Sequence, residues 1–131
     1  MLECPLPNYD NYLRYAAYKE VFAAVMSDIK SRNVARPSAA VLCSIVHRHE
    51  LDLTTKYGVE AISPYDDVET LLAKKYATEL NDAYREYIFE ATAAFTAILA
   101  RTQRTTIHNI ERLLENQIRI VTEDLLTMVS E

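Results

Sequence analysis

Two pairs of residues in this chain come closest, by type and spacing, to doing chemistry: His47 with Glu50, and His108 with Glu111. Positions three apart on a helix share a face, so each pair could offer an imidazole nitrogen and a carboxylate oxygen to a transition metal. Di-metal bundles order such pairs as Glu-x-x-His and add two further inward carboxylates. Here the order is reversed, and the acids available to complete a site (Glu79, Asp82, Glu86, Glu90) step along one segment with no common inward direction. His49 falls on a different face from His47. The sequence therefore predicts surface ion pairs or capping pairs, and a metal-binding helical bundle stands as a second alternative function.

Nucleophilic chemistry has less support. Gly58 is the only glycine, so the chain has neither a Gly-x-Ser-x-Gly elbow nor a glycine-rich phosphate loop. This excludes P-loop and Rossmann-type phosphate cradles of the usual design. Ser44 and His47 form an ordinary helical i, i+3 pair. Cys4 and Cys43 are the only cysteines, and two scattered thiols make neither a disulfide framework nor a zinc spacing. Cys43 sits among apolar neighbours in residues 40–46 and reads as a small buried hydrophobe. The expectation is a protein that is not an enzyme, with no catalytic residue, no cofactor and no resident metal.

Nucleic-acid binding is the first alternative. Residues 51–59 have the cadence of a helix, a glycine turn at Gly58 and an apolar residue, as in a helix-turn-helix. A recognition helix with basic or amide side chains should follow. Instead Pro64, Asp66 and Asp67 come next, and paired aspartates repel phosphates. Charge points the same way. Residues 1–64 hold seven acids and seven bases, and residues 65–131 hold twelve acids and seven bases, so the net charge of −5 lies in the second half. An acidic half of that size disfavours general nucleic-acid binding. The one relatively basic patch is Arg101, Arg104 and His108, in a stretch free of acids from Ala91 to Ile110. It reads as a solvated bend, or as a dock for an acidic partner.

The elements that would position these residues are helical. From residue 65 to residue 131 there is neither glycine nor proline, a run of 67 residues (131 − 64). Average usage of about 12% would place roughly eight there. Both types break long helices. Ser63 as cap, Pro64 at the first helical position and Asp66 and Asp67 against the positive helix end predict a start at 63. Val68, Leu72, Tyr76, Leu80, Ala83, Tyr87, Ala91, Ala94 and Ile98 then make one apolar stripe, and Tyr84, Ile88, Phe95 and Leu99 a second. Two stripes on one helix predict neighbours on more than one side. The alanines between Ala91 and Ala100 predict a close helix–helix approach.

Three threonines in residues 102–106 are the one plausible break, with Thr105 or Thr106 capping a new helix. Against a break, the apolar phase runs on through Ile107, Ile110, Leu114, Ile118, Val121, Leu125 and Met128. An unbroken helix of about 65 residues would be a rod of about 95 Å, too long for the first 64 residues to cover. The expectation leans to a bend and hairpin. In either case the seam averages 3.5 residues per step, like a coiled coil, which predicts oligomerisation.

Before the run, residues 1–8 read as an extended tail because of Pro5 and Pro7. Residues 9–62 read as shorter helices. The first is capped by Asn8 or Asp10 and runs to about Arg32, burying Phe22, Val25, Met26 and Ile29. The second starts with Pro37 at its first position and ends near Glu50. A short turn from Asp52 or Thr54 then closes at Gly58 in a left-handed cap. Tyr9, Tyr12, Tyr15 and Tyr18 come at strict threes and walk their phenols around half the first helix.

Half of the residues are hydrophobic and a quarter charged, as in a globular domain. No apolar stretch reaches the roughly 18 residues of a membrane span, and the first five residues lack a signal layout. The predicted architecture is all-α, one helical domain over residues 1–131, bundle-like and oligomeric, cytoplasmic and free of membrane. The predicted function is a non-enzymatic interaction protein acting by self-association and partner binding, as an adaptor, assembly component or inhibitor. Its candidate contact residues are Tyr12, Tyr15, Arg101, Arg104, Ile107, Ile110, Leu114, Ile118, Val121 and Leu125.

Overall fold

A computed structural model of the chain describes residues 6–58 and 63–130, with side chains over 12–58 and 63–123. Every regular element among them is helical: α1 Leu6–Ser31, α2 Ala39–Lys56, α3 Val68–Ala100 and α4 Ile107–Ser130. None is long and apolar enough to cross a membrane.

Helix α1 contains Pro7, so the predicted extended tail gives way to helix from Leu6 onward; residues 1–5 lie outside the described part. Proline is tolerated in a first turn, where its missing N–H has no acceptor to satisfy. The helix buries Ala17, Tyr18, Val21, Val25, Met26 and Ile29. Phe22 is half-buried at the edge of that stripe, because Val21 and Tyr18 take its centre. The chain leaves α1 through Asn33, which has φ of 55°. Asparagine is among the few L-residues that enter the left-handed region readily.

Pro37 lies just before α2, and Ser38 is its cap, accepting from Val41 N at 3.3 Å. The helix runs without interruption through the His47–Glu50 knot to Lys56, so neither Glu50 nor Asp52 bounds an element. Arg48, Glu50, Leu51, Leu53 and Lys56 favour helix, and neither glycine nor proline interrupts residues 47 to 56. It closes on Tyr57 (φ −100°, ψ 37°), with Gly58 N donating to Thr55 O at 3.1 Å. Gly58 has no positive φ, so α2 ends without a left-handed residue and the predicted glycine cap is corrected.

The start of α3 is also displaced from expectation. Residues 63–66 form a turn closed by Asp66 N to Ser63 O (3.1 Å) and locked by Ser63 N to Asp66 Oδ2 (2.9 Å). Pro64 suits the second position of such a turn as well as it suits a helix start. Asp67 is the cap, accepting from Thr70 N at 2.8 Å, and the helix begins at Val68. Those N–H donors hold both aspartates below the ordinary carboxylate range, with the Lys74 ammonium adding to the effect at Asp66.

The long run does break at the threonines. Arg101 and Thr102 turn back on Ile98 and Leu99, with the Thr102 hydroxyl donating to Leu99 O at 2.8 Å. Thr106 Oγ1 then accepts from Asn109 N at 3.2 Å and starts α4. The apolar phase survives the break because both helices face the same core.

Helices α1 and α3 each touch the other three, while α2 and α4 make no close approach to one another among the described residues. Helix α2 runs antiparallel to α1, pairing Tyr57 with Glu20 and His49 with Asp28. It is also antiparallel to α3, pairing Cys43 with Thr96 and Tyr57 with Tyr84. Helix α4 lies mainly against α1. The core centres on Phe95, Leu99, Ile88, Leu42, Ile29, Ile110 and Leu114, all fully buried.

Candidate interaction surface

The polar groups at the helix contacts are mostly committed to holding the bundle. Glu20 on α1 accepts from Tyr84 Oη at 2.6 Å, from Tyr57 Oη at 2.9 Å and from Lys56 Nζ at 3.3 Å. Burial alone would raise this carboxyl, but the two phenols and the ammonium outweigh it and hold it below its ordinary value. Burial and the same carboxylate push both phenols upward. Asp28 is a second hub, meeting Arg32 (2.9 Å), Arg48 and His49 Nε2 (2.7 Å). Burial again opposes ionisation, and these three donors overcome it, bringing Asp28 down from 3.8 to about 2. Tyr18 donates to Glu90 at 2.8 Å and stands edge-on to Phe95, and Arg14 reaches the same carboxylate at 3.2 Å.

The His-x-x-Glu pairs are drawn into similar duties. His47 Nδ1 lies 3.5 Å from Glu50, whose other oxygen accepts from Thr92 Oγ1 at 2.6 Å. Glu111 pairs with Lys30 at 3.0 Å, and His108 is exposed. No group of three or more His, Cys, Asp or Glu side chains converges as a metal site would require, among the described residues. A hollow of about 560 Å³ between α2 and α3 has Cys43, His47, Glu50, Thr92 and Thr96 on its walls, with Ala93 and Ala97 as its open edge. The small residues thus leave a shallow groove in addition to the packing at buried Ala91.

The predicted contact residues divide sharply. Ile110, Leu114, Ile118 and Val121 are buried in the chain's own core, and Ile107 packs against it, so α1 occupies the seam that the sequence assigns to another molecule. The side chain of Leu125 lies outside the described residues. Of the tyrosine walk, Tyr18 is buried, Tyr15 half-buried under Lys19 (5.7 Å) and Tyr12 exposed, and the side chain of Tyr9 lies outside the described residues. Arg101 and Arg104 are exposed at the α3–α4 turn. Around Gly58, α2 and α3 are separated by residues 57–67, far longer than the three or four residues of a helix-turn-helix.

The surface that sequence reasoning missed is the first part of α3. From residue 63 to residue 87 no side chain is buried, and the first stripe lies open from Val68 (70% exposed) through Leu72 (61%) and Tyr76 (73%) to Leu80, with Tyr65 in the preceding turn 94% exposed. The expectation that neighbours cover both stripes is met only from Tyr84 onward. The missing signal was relative length, since α2 has 18 residues and α3 has 33.

Fold and surface together define an all-α helical bundle with an uncovered apolar helix face. Compared with protein-family models, with curated proteins and with solved structures, the chain matches none.

Proposed function

We propose that this protein is a non-enzymatic helical interaction protein of the cytoplasm, working by self-association and by docking a protein partner as an adaptor, assembly component or inhibitor. The observation that carries this reading is the open face of α3 made by Tyr65, Val68, Leu72, Tyr76 and Leu80. Scattered apolar side chains on a surface need no explanation, but a contiguous row does. Tyrosine at two of the five positions fits, since its ring buries area while its hydroxyl tolerates a wet rim. Four-residue spacing makes the row a ridge on the helix surface, into whose flanking grooves a second helix can pack at a crossing angle of about −50°. Sedimentation equilibrium of the full chain tests the reading. The expected result is a mass above 15.0 kDa that rises with concentration and returns to the monomer value in the Leu72→Glu, Tyr76→Glu double variant. A parent chain that stays at the monomer mass at every concentration would refute self-association.

A further inference from the structure

The end of the bundle at the α3–α4 turn carries unneutralised cations. No acid occurs between Ala91 and Ile110 in the sequence. Among the described residues, Arg101, Arg104 and Arg112 make no ion pair, and Arg36 reaches only the Arg104 carbonyl oxygen at 3.4 Å. Beside them lies a groove of about 490 Å³ with Ile98 and Leu113 in its lining and Arg101, Gln103 and Asn109 around them. Through Asn109 and Leu113 it continues along the outer face of α4 into a second hollow of about 500 Å³ that reaches Arg112 and Asn116, with Glu115 also in its lining.

The opposite end of the same helix has the complementary character. Exposed Tyr65 and Val68 are interleaved with Asp66, Asp67 and Glu69, and Glu69 has no cationic partner among the described residues. The two ends are 34 residues apart along a continuous helix (101 − 67), or about 50 Å. A chain therefore cannot fold its own tip into its own groove. The lengths are comparable: residues 68–76 of α3 span about 12 Å as helix, and the part of α4 from Asn109 to Asn116 that lines the groove about 11 Å.

We propose that the tip of α3 in one copy docks into the turn-and-α4 groove of a second copy. Tyr65, Val68 and Leu72 lie over Ile98 and Leu113, and Asp67 and Glu69 face Arg101, Arg104 and Arg112. This rests on the self-association reading above and specifies its geometry. Donor and acceptor surfaces differ, so the contact is heterologous and either closes into a ring or propagates as a filament. A nucleic acid is the weaker occupant, since Glu115 and the acidic arm repel phosphate while the apolar floor gives it nothing.

Two full-length variants test this by sedimentation velocity. The groove variant is Arg101→Glu, Arg104→Glu and the tip variant is Tyr65→Ser, Glu69→Lys. All four side chains are exposed, and circular dichroism confirms folding. Each variant alone should self-associate at least about tenfold more weakly than the parent, which is about 1.4 kcal/mol. Mixed, they should form a one-to-one complex that grows no further, because one retains only a tip and the other only a groove. Parent-like association of either variant alone overturns this inference and leaves self-association standing. A parent that is monomeric throughout overturns both. Duplex DNA that binds the parent but not the groove variant, with no one-to-one complex on mixing, assigns the cations to phosphate and overturns the inference too.

Discussion

Both halves of α3 are rich in apolar side chains, yet they meet different surroundings. From Ile88 on, Ile88, Ala91, Phe95 and Leu99 are fully buried between α1 and α2, and Thr92 is buried with its hydroxyl on Glu50. From Val68 to Leu80, residues of the same kinds at the same spacing stand in solvent. The boundary falls at Tyr84 and Tyr87, where Glu20 and Arg14 of α1 hold the helix by hydrogen bond and by cation–π approach at 5.1 Å. Amphipathic spacing thus says which face of a helix is apolar, and the reach of neighbouring elements decides whether that face is covered. Helix α2 spans about 27 Å and α3 about 50 Å, so α2 cannot shield the whole of it.

The largest expected effect lies in the covered half. Phe95→Ala removes a fully buried ring that stands edge-on to Tyr18 at 5.9 Å, and should cost about 3–5 kcal/mol in urea unfolding. A cost under about 1 kcal/mol would mean that the covered half is as loosely held as the open one.

Acid sensitivity comes next and belongs to the anchored end. Asp28 has a folded pKa of about 2 against an ordinary 3.8. A depressed carboxyl stabilises the fold in full above its unfolded pKa and loses that contribution as pH falls through the folded value. The gap corresponds to about 2 kcal/mol, which should disappear between pH 3.8 and about 2. In Asp28→Asn the fall over that window should flatten, as read from unfolding midpoints against pH. An unchanged slope would show that Asp28 is ordinary in the folded state.

At the boundary, Tyr84→Phe removes one donor from Glu20 and leaves Tyr57 and Lys56 in place. It should cost about 1 kcal/mol and should speed amide exchange before residue 84 more than after it. Equal acceleration on both sides would move the boundary elsewhere.

The smallest effect is expected in the open half. Leu72→Ala should change the stability of the dilute monomer by less than about 0.5 kcal/mol, and amides of residues 72–80 should exchange well before those of 91–99. A cost near that of Phe95→Ala would show that the arm is packed in solution.

Much of the fold was legible in the sequence. Proline and glycine were absent where helices are long, and apolar residues fell at threes and fours. Threonines marked the break because Thr102 and Thr106 each satisfy a helix end with a hydroxyl. Boundaries were less legible. Ser63-Pro64 is as good a turn as a helix start, and Asp67, four residues on, does the capping. The lone glycine was a misleading marker, since α2 closes on Tyr57 with a negative φ and the left-handed residue, Asn33, ends α1 instead. For the surface, Arg101 and Arg104 could be read from local charge. The seam of α4 and the open face of α3 could not be told apart by periodicity, because spacing is a property of one helix and coverage depends on several.

The break at residues 101–106 makes the bundle short and leaves α3 overhanging it. A pull on Tyr65 travels about 24 Å along a single helix before it reaches Tyr84. There it meets a carboxylate shared by three donors from two helices, with the Tyr57 and Tyr84 rings 4.8 Å apart. That junction is the hinge pin of the molecule. Mechanical load on the overhang falls first on Glu20, and only after it on the packed interior.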